Sequence, residues 1–147
     1  MSGLLLVEDN DADVLFFKRA LSRTRPDMPL QVAINGVEAV KTLSEGPPPS
    51  LVVLDLKLPR MSGLEVLEWM RTQPKLAGMP AVVLTSSVLE SDHRRARALG
   101  VLAFIVKPVE AAPLREVVAA MAAYAAEPGE STLAALARHS IAVQAEA

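Results

Sequence analysis

The side chains of this sequence that could do chemistry together stand directly after its short apolar runs. Glu8 and Asp9 follow the first run, Asp55 the third, Thr85 the fourth and Lys107 the fifth. Carboxylates brought close together repel one another unless a cation lies between them. Oxygen ligands without His or Cys select Mg²⁺ or Ca²⁺, and Mg²⁺ commonly adds a phosphate oxygen to its carboxylates. With a hydroxyl and an ammonium beside them, these residues predict Mg²⁺-assisted phosphoryl transfer with a carboxylate as nucleophile.

These side chains can meet only if the apolar runs are strands of one sheet. The runs lie at 4–7, 30–34, 51–54, 81–84 and 103–106, and amphipathic helical stretches separate them. Most runs are nearly continuous, which is typical of parallel strands covered on both faces. The alternation predicts an α/β, flavodoxin-like, doubly wound (βα)5 fold with a five-stranded parallel sheet in the order 2-1-3-4-5. In that order the first and third strands are neighbours, so the acids that follow them share one crevice.

Composition excludes several classes of site. The 147 residues include no Cys and two His, which excludes disulfides, thiolate catalysis, Cys-based zinc sites and multi-His metal sites. Lys and Arg number 15 and Asp and Glu 17, for a net charge of −2, so we expect no nucleic-acid partner. No apolar run reaches the length of a membrane span, and the N-terminus lacks the basic start of a signal peptide. We therefore expect a cytoplasmic protein without a membrane partner.

Four motifs, taken together, resemble the receiver domain of two-component response regulators, the CheY-like superfamily. The matching segments are 5–10 (LLVEDN), 53–59 (VLDLKLP) with Ser62 and Gly63 after it, 83–86 (VLTS) and 104–108 (FIVKP). They occur in the family's order, and the resemblance covers roughly residues 3 to 126. Each segment alone is a weak signal, whereas four at successive strand ends are specific.

The resemblance implies a phosphoacceptor and a metal site. Asp55 would accept the phosphoryl group from a sensor histidine kinase. Asp9, Asp55 and the backbone carbonyl of Lys57 would bind Mg²⁺ directly, and Glu8 would assist through water. Lys57 also departs from the family's usual small polar residue at this position, which puts the lifetime of the phosphoryl group in question.

The resemblance also implies a conformational switch. Thr85 would hydrogen-bond the phosphoryl group and Lys107 would pair with it. Phe104 would turn inward as Thr85 moves, so that these two residues form the switch. The bond between Lys107 and Pro108 would be cis.

The function implied is that of a single-domain response regulator, a phosphoacceptor rather than an enzyme, that signals to an unknown downstream protein or serves as a phosphate relay or sink. The start of the sequence, through Ala12 and Asp13, is similar to stand-alone regulators that serve bacterial phytochromes, so a bacteriophytochrome is a candidate kinase or phosphatase. One rival is a haloacid-dehalogenase type phosphatase, but its second aspartate would stand where Lys57 does. Another rival is an interaction module with a vestigial acidic pocket.

The chain divides into a receiver domain at residues 1–126 and an extension at residues 127–147. Glu127, Pro128 and Gly129 break the last helix of the receiver, and Ser131 is placed to cap a short new helix. Two interpretations of the extension stay open: a loosely ordered end, or a dimerisation arm that forms a homodimer through the apolar residues Leu133, Leu136 and Ile141. In the receiver, His93 lies in a polar stretch with three arginines and is expected at the surface.

Overall fold

The computed structural model of the chain describes residues 2–87 and 89–141. In this part the chain alternates strands and helices as predicted, and a sixth helix follows. The elements are β1 (Leu4–Val7), α1 (Asp11–Thr24), β2 (Leu30–Ala33), α2 (Gly36–Glu45), β3 (Leu51–Leu54), α3 (Gly63–Thr72), β4 (Ala81–Thr85), α4 (Glu90–Ala98), β5 (Ala103–Val106), α5 (Ala111–Ala126) and α6 (Glu130–Ala137). Within these ranges, no helix combines the length and apolarity needed to cross a membrane.

The five strands form one parallel sheet in the order β2-β1-β3-β4-β5, which confirms the predicted fold. Val7 pairs with Leu54 across the two central strands, so β1 and β3 end at the same level. The N–H of Asp55 donates to the carbonyl of Val7 at 3.0 Å. The residues that follow β1 and β3 therefore leave the sheet side by side.

Both faces of the sheet are covered, because successive strand residues point to opposite sides. Leu5 and Val7 belong to the core under α2 and α3, whereas Leu4 and Leu6 belong to the core under α1 and α5. The edge strand β2 is less buried than the central strands. It ends one residue earlier than predicted, and Ile34 beyond it is 53% exposed.

Helix caps determine where the loops at the carboxyl ends of the strands stop and the helices begin. Ser62 caps α3, with the Glu65 N–H donating to Ser62 Oγ at 3.2 Å and that hydroxyl donating to the Glu65 carboxylate at 3.3 Å. Asn10 caps α1 by accepting from the N–H of Asp13. Gly100, at φ 78°, follows the end of α4, where the left-handed backbone favours glycine.

The predicted helix in the extension is present as α6, but its predicted cap is wrong. The N-cap is Gly129, not Ser131. Thr132 supplies the hydroxyl, which accepts from the Gly129 N–H at 3.1 Å and donates to the Glu127 carbonyl at 2.8 Å. The remainder of the predicted extension, residues 142–147, lies outside the described residues.

Two further expectations are wrong. No peptide bond in the described ranges is cis, so the bond before Pro108 is trans, the form that most X–Pro bonds favour. His93 is buried, at 4% exposure. The reason is that His93 and Ala96, one turn apart, form the inner face of the otherwise polar helix α4.

Candidate functional site

An acidic crevice lies beyond the carboxyl ends of β1 and β3. Glu8, Asp9 and Asp55 each offer a carboxylate oxygen within 4.8 Å of the others. Glu8 and Asp55 are 3% and 6% exposed, whereas Asp9 is exposed. The matched ends of the two central strands place these acids together, at the switch point where doubly wound sheets bind ligands.

The Asp55 carboxylate is held on both of its oxygens. Oδ1 accepts from the Thr85 hydroxyl at 2.8 Å and from the Lys57 N–H at 3.3 Å. Oδ2 accepts from Lys107 Nζ at 2.8 Å. The structure thus brings the ends of β3, β4 and β5 to one carboxylate.

Lys107 contacts three carboxylates. Its Nζ lies 2.5 Å from Glu8 Oε1, 2.8 Å from Asp13 Oδ2 and 2.8 Å from Asp55 Oδ2. Burial lowers the pKa of Lys107, but hydrogen bonds to Asp13, Asp55 and Glu8 outweigh it and raise that pKa above its ordinary value. The lysine is therefore a fixed positive charge in the crevice.

The acid–base behaviour of Glu8 is strongly perturbed by its place in the crevice. Burial, the largest cause, and the neighbouring Asp55 charge raise the pKa of Glu8, the hydrogen bond from Lys107 opposes them, and the resulting pKa is about 7. Its second oxygen, Oε2, accepts from the N–H of Asn10 at 3.2 Å. Glu8 therefore links the cap of α1 to the ammonium of Lys107.

The donor set of the crevice fits a hard divalent cation. All three acids supply oxygen, and Mg²⁺ is bound in proteins through one or two carboxylates with water and phosphate oxygens. The ammonium of Lys107 contacts Glu8 and Asp55, two of the three acids. A divalent cation that binds the cluster would therefore displace the ammonium from these two carboxylates. The Lys57 N–H donates to the Asp55 carboxylate, while ligation of the metal by the Lys57 carbonyl stays a prediction.

The start of α3 packs directly behind the crevice. A Cβ atom built on Gly63 would lie 2.0 Å from the backbone oxygen of Asp55. The Gly63 N–H donates to the carbonyl of Leu56 at 3.1 Å. Only glycine permits this approach, and the helix start thereby fixes the backbone that carries Asp55.

Phe104 of β5 is 1% exposed and packs with Leu56, Val83 and Ala96. Its ring centroid lies 4.6 Å from that of His93. The Phe104 N–H donates to Ser140 Oγ, and the Ile141 N–H donates to the Phe104 carbonyl, both at 2.9 Å. The residue predicted to switch thus contacts both α4 and the extension.

Sequence reasoning missed Asp13 and His93. Asp13 is the third residue of α1, where an acid is normally read as part of that helix's own cap. The charged neighbours of His93 in sequence predict a surface position for it. The spacing of His93 and Ala96 was the available signal for a buried face.

Comparison with known proteins agrees with this geometry. A sequence model described as the response regulator receiver domain matches residues 4–119. The polar-differentiation response regulator DivK of Brucella anthropi is 31% identical over 114 residues, which cover 73% of this chain and 85% of DivK.

Several solved structures are similar to this chain. The phosphorylated cyanobacterial phytochrome response regulator RcpA has a TM-score of 0.79 at 29% identity and covers 88% of this chain and 96% of its own. The Mn²⁺-bound form of response regulator Rcp1 also has a TM-score of 0.79, at 30% identity, with 88% and 98% covered. The bacteriophytochrome response regulator AtBRR is 42% identical with a TM-score of 0.67, and 75% and 84% are covered.

Phytochrome-associated response regulators are therefore among the structural neighbours of this chain. The family match spans all five strands and every residue that converges on the crevice. The chain belongs to the response regulator receiver domain family.

Proposed function

We propose that this protein accepts a phosphoryl group from a sensor histidine kinase on Asp55, with Mg²⁺, and passes a conformational change to a partner protein. Receiver domains in general are signalling phosphoacceptors that bind Mg²⁺ or Mn²⁺ in an acidic pocket. The observation that carries the proposal is the environment of Asp55, whose carboxylate lies between a hydroxyl, an ammonium and two further acids.

The proposed transfer is an in-line displacement. A carboxylate oxygen of Asp55 forms a bond to phosphorus, and the bond from phosphorus to the kinase histidine breaks, which returns the electron pair to the imidazole nitrogen. Mg²⁺, when bound, neutralises charge on the phosphoryl oxygens. Asp9, Asp55 and the Lys57 carbonyl would hold it, with Glu8 assisting. Positioning and charge neutralisation thus supply most of the rate.

After transfer, Thr85 and Lys107 would act on the phosphoryl group. Phosphorylation adds about −1.5 to −2 charges at neutral pH. The Thr85 hydroxyl and the Lys107 ammonium, each 2.8 Å from an Asp55 oxygen, would move to phosphoryl oxygens instead. Their movement would pull on β4 and β5 and shift Phe104, which links the site to the surface formed by α4 and the extension.

Phosphorylation of Asp55→Asn tests the assignment. The protein is incubated with Mg²⁺ and acetyl phosphate, and intact-mass spectrometry measures the fraction that carries one added phosphoryl group. We expect stoichiometric labelling of the wild type and none of Asp55→Asn, with Asp27→Asn, an exposed acid in a loop, as the control. Equal labelling of Asp55→Asn would show that the phosphoacceptor is another residue.

The kinase partner is proposed from the neighbours alone. RcpA and AtBRR are phytochrome response regulators by name, so we propose a bacteriophytochrome as the cognate kinase or phosphatase. Phosphotransfer profiling against candidate kinases at short times is the direct test. Preferential transfer from a kinase of another class would contradict this choice of partner.

We also propose that residues 127–147 form an extension separate from the receiver at 1–126, and that it joins two subunits in a homodimer. Its described part packs on its own chain, where Leu136 is fully buried in the core shared with α5, whereas Leu133 on the same helix is 37% exposed. A second copy would therefore meet Leu133. Sedimentation velocity should show a dimer that Leu133→Glu weakens. Leu15→Glu, on the exposed side of α1, is the control and should leave the dimer intact. A wild type that is monomeric at about tens of micromolar would exclude the dimerisation arm.

A further inference from the structure

Lys107 has one carboxylate partner that does not belong to the proposed metal site. Glu8 and Asp55 are two of the three acids that cluster for a cation, whereas Asp13 lies outside that cluster. Asp13 reaches Lys107 from α1, and its side chain is 38% exposed against 15% for Lys107. The contact joins the two sides of the crevice at its rim.

The local structure of α1 leaves the Asp13 carboxylate available for this contact. An acid at the third helical position commonly accepts from the N–H of the capping residue. Here the Asn10 N–H donates to Glu8 Oε2 at 3.2 Å instead. The Asp13 N–H still donates to Asn10 Oδ1 at 2.9 Å, so the helix start is capped while the Asp13 side chain lies on Lys107.

A dication and the Lys107 ammonium compete for the same carboxylates. Nζ lies against Glu8 and Asp55, both of which a cation in the acidic cluster would need. When the cation binds, the ammonium must leave those two oxygens and still stay within reach of a phosphoryl group on Asp55. A counter-charge at the rim meets both requirements, because it balances the ammonium without using a metal ligand.

We propose that Asp13 is a positioning residue that holds the Lys107 ammonium at the rim of the crevice while Mg²⁺ occupies the acidic cluster. The inference rests on the proposed function and names a residue that acts through Lys107 rather than on the metal. Without Asp13, the ammonium stays bound to Glu8 and Asp55. Mg²⁺ then has to displace it with no alternative partner in place, and Mg²⁺ affinity falls.

Isothermal titration calorimetry of Mg²⁺ into the full chain tests the proposal. We expect Asp13→Asn to weaken Mg²⁺ binding by about tenfold, within the usual range of coupling between contacting charged groups. Asp13→Glu, which keeps the charge, should restore most of the affinity. Asp11→Asn is the matched control, since it removes the same charge from an exposed position of the same helical turn. Thermal unfolding monitored by circular dichroism verifies that each variant folds.

The decisive measurement is a double-mutant cycle with Lys107→Met. If Asp13 acts through Lys107, Asp13→Asn should change Mg²⁺ affinity by less than about twofold in the Lys107→Met background. An undiminished effect in that background, or an equal effect of Asp11→Asn, would mean general electrostatic attraction and would overturn the proposal. No effect of Asp13→Asn in the wild-type background would also overturn it.

The outcomes for Asp13 and for the proposed function are separable. Mg²⁺ binding without coupling between Asp13 and Lys107 refutes only the positioning role. Labelling that persists in Asp55→Asn refutes the phosphoacceptor assignment and leaves the calorimetric cycle interpretable. A wild type that binds no Mg²⁺ refutes both the metal site and the role of Asp13.

Discussion

The Lys107 ammonium organises the crevice at the scale of single residues. It contacts acids from the end of β1, from α1 and from the end of β3. An ammonium shared among three carboxylates can give up one contact and keep the others, so the arrival of a cation or of a phosphoryl group can shift it by a small distance. A lysine suits this role because its charge is compact and its stem flexible.

His93 supports a prediction about pH. Burial lowers its pKa, the Arg97 charge lowers it further, and Glu90 opposes them. Among the described residues, His93 Nε2 is the buried side-chain nitrogen without a hydrogen-bond partner. Because the unfolded chain binds a proton here more readily than the folded chain, stability is kept above the ordinary pKa of 6.5 and is lost as pH falls below it.

Urea unfolding as a function of pH measures this effect. From about pH 7.5 to about pH 5.5, the free energy of unfolding of the wild type should fall relative to that of His93→Leu, with a slope of at most about 1.4 kcal/mol per pH unit, the limit for one proton. His139→Gln, at the other histidine, should follow the wild type. Parallel curves for the wild type and His93→Leu would contradict the assignment to His93.

The positions of those site residues that directly follow a strand could be predicted from the order of the strands in the sheet. Asp55, Thr85 and Lys107 each follow a strand end, and the sheet order places those ends side by side. Asp13 was not predictable in this way, because its side-chain direction depends on which group accepts from the N–H of Asn10. That hydrogen bond is a property of the folded loop and leaves no signature in spacing.

At the scale of elements, the start of α3 determines where Asp55 lies. Within a helix, Gly→Ala usually stabilises by up to about 1 kcal/mol. At Gly63 the added methyl group would instead overlap the backbone oxygen of Asp55, at 2.0 Å. We expect Gly63→Ala to lower the free energy of unfolding by about 1 to 3 kcal/mol, as overpacking does, and to slow phosphorylation.

Gly78→Ala is the control for this substitution, because a Cβ atom there has nothing within 4 Å. Urea unfolding gives the stability of both variants, and acetyl phosphate labelling gives the rate. A Gly63→Ala protein as stable and as rapidly labelled as Gly78→Ala would show that α3 can move away from Asp55 at little cost.

Element order was predictable, but the packing of the extension was not. The apolar runs predicted the strands, and the amphipathic stretches between them predicted the helices. The apolar residues of α6 indicated that one face of this helix is covered. They could not show whether the same chain or a second subunit covers it. The structure places Leu136 in the core of its own chain, because α6 folds back along α5.

At the scale of the whole molecule, ligand binding at the crevice should raise global stability. Only folding brings Asp55 to Glu8 and Asp9, so a cation that binds all three acids binds the folded chain. A ligand bound only by the folded state stabilises it by about 2.7 kcal/mol at a hundredfold excess over its Kd. Mg²⁺ should therefore raise the Tm, and Mg²⁺ with beryllofluoride, which mimics a phosphoryl group, should raise it further.

Differential scanning calorimetry tests both steps. Asp55→Asn should lose the increment from beryllofluoride, since it removes the carboxylate to which the analogue attaches. Asp27→Asn should keep both increments. A vestigial acidic pocket, the rival interpretation of the motifs, would show no change of Tm with either ligand.

The hydrogen bonds from Ser140 and Ile141 to Phe104 have a consequence for self-association. β5 is an edge strand of the sheet, and an exposed edge strand is a template to which a strand of another molecule can add. In this protein Ser140 and Ile141 already hydrogen-bond the backbone N–H and carbonyl of Phe104. A strand that would add to β5 must first displace this segment, which protects this side of the sheet against strand-by-strand polymerisation.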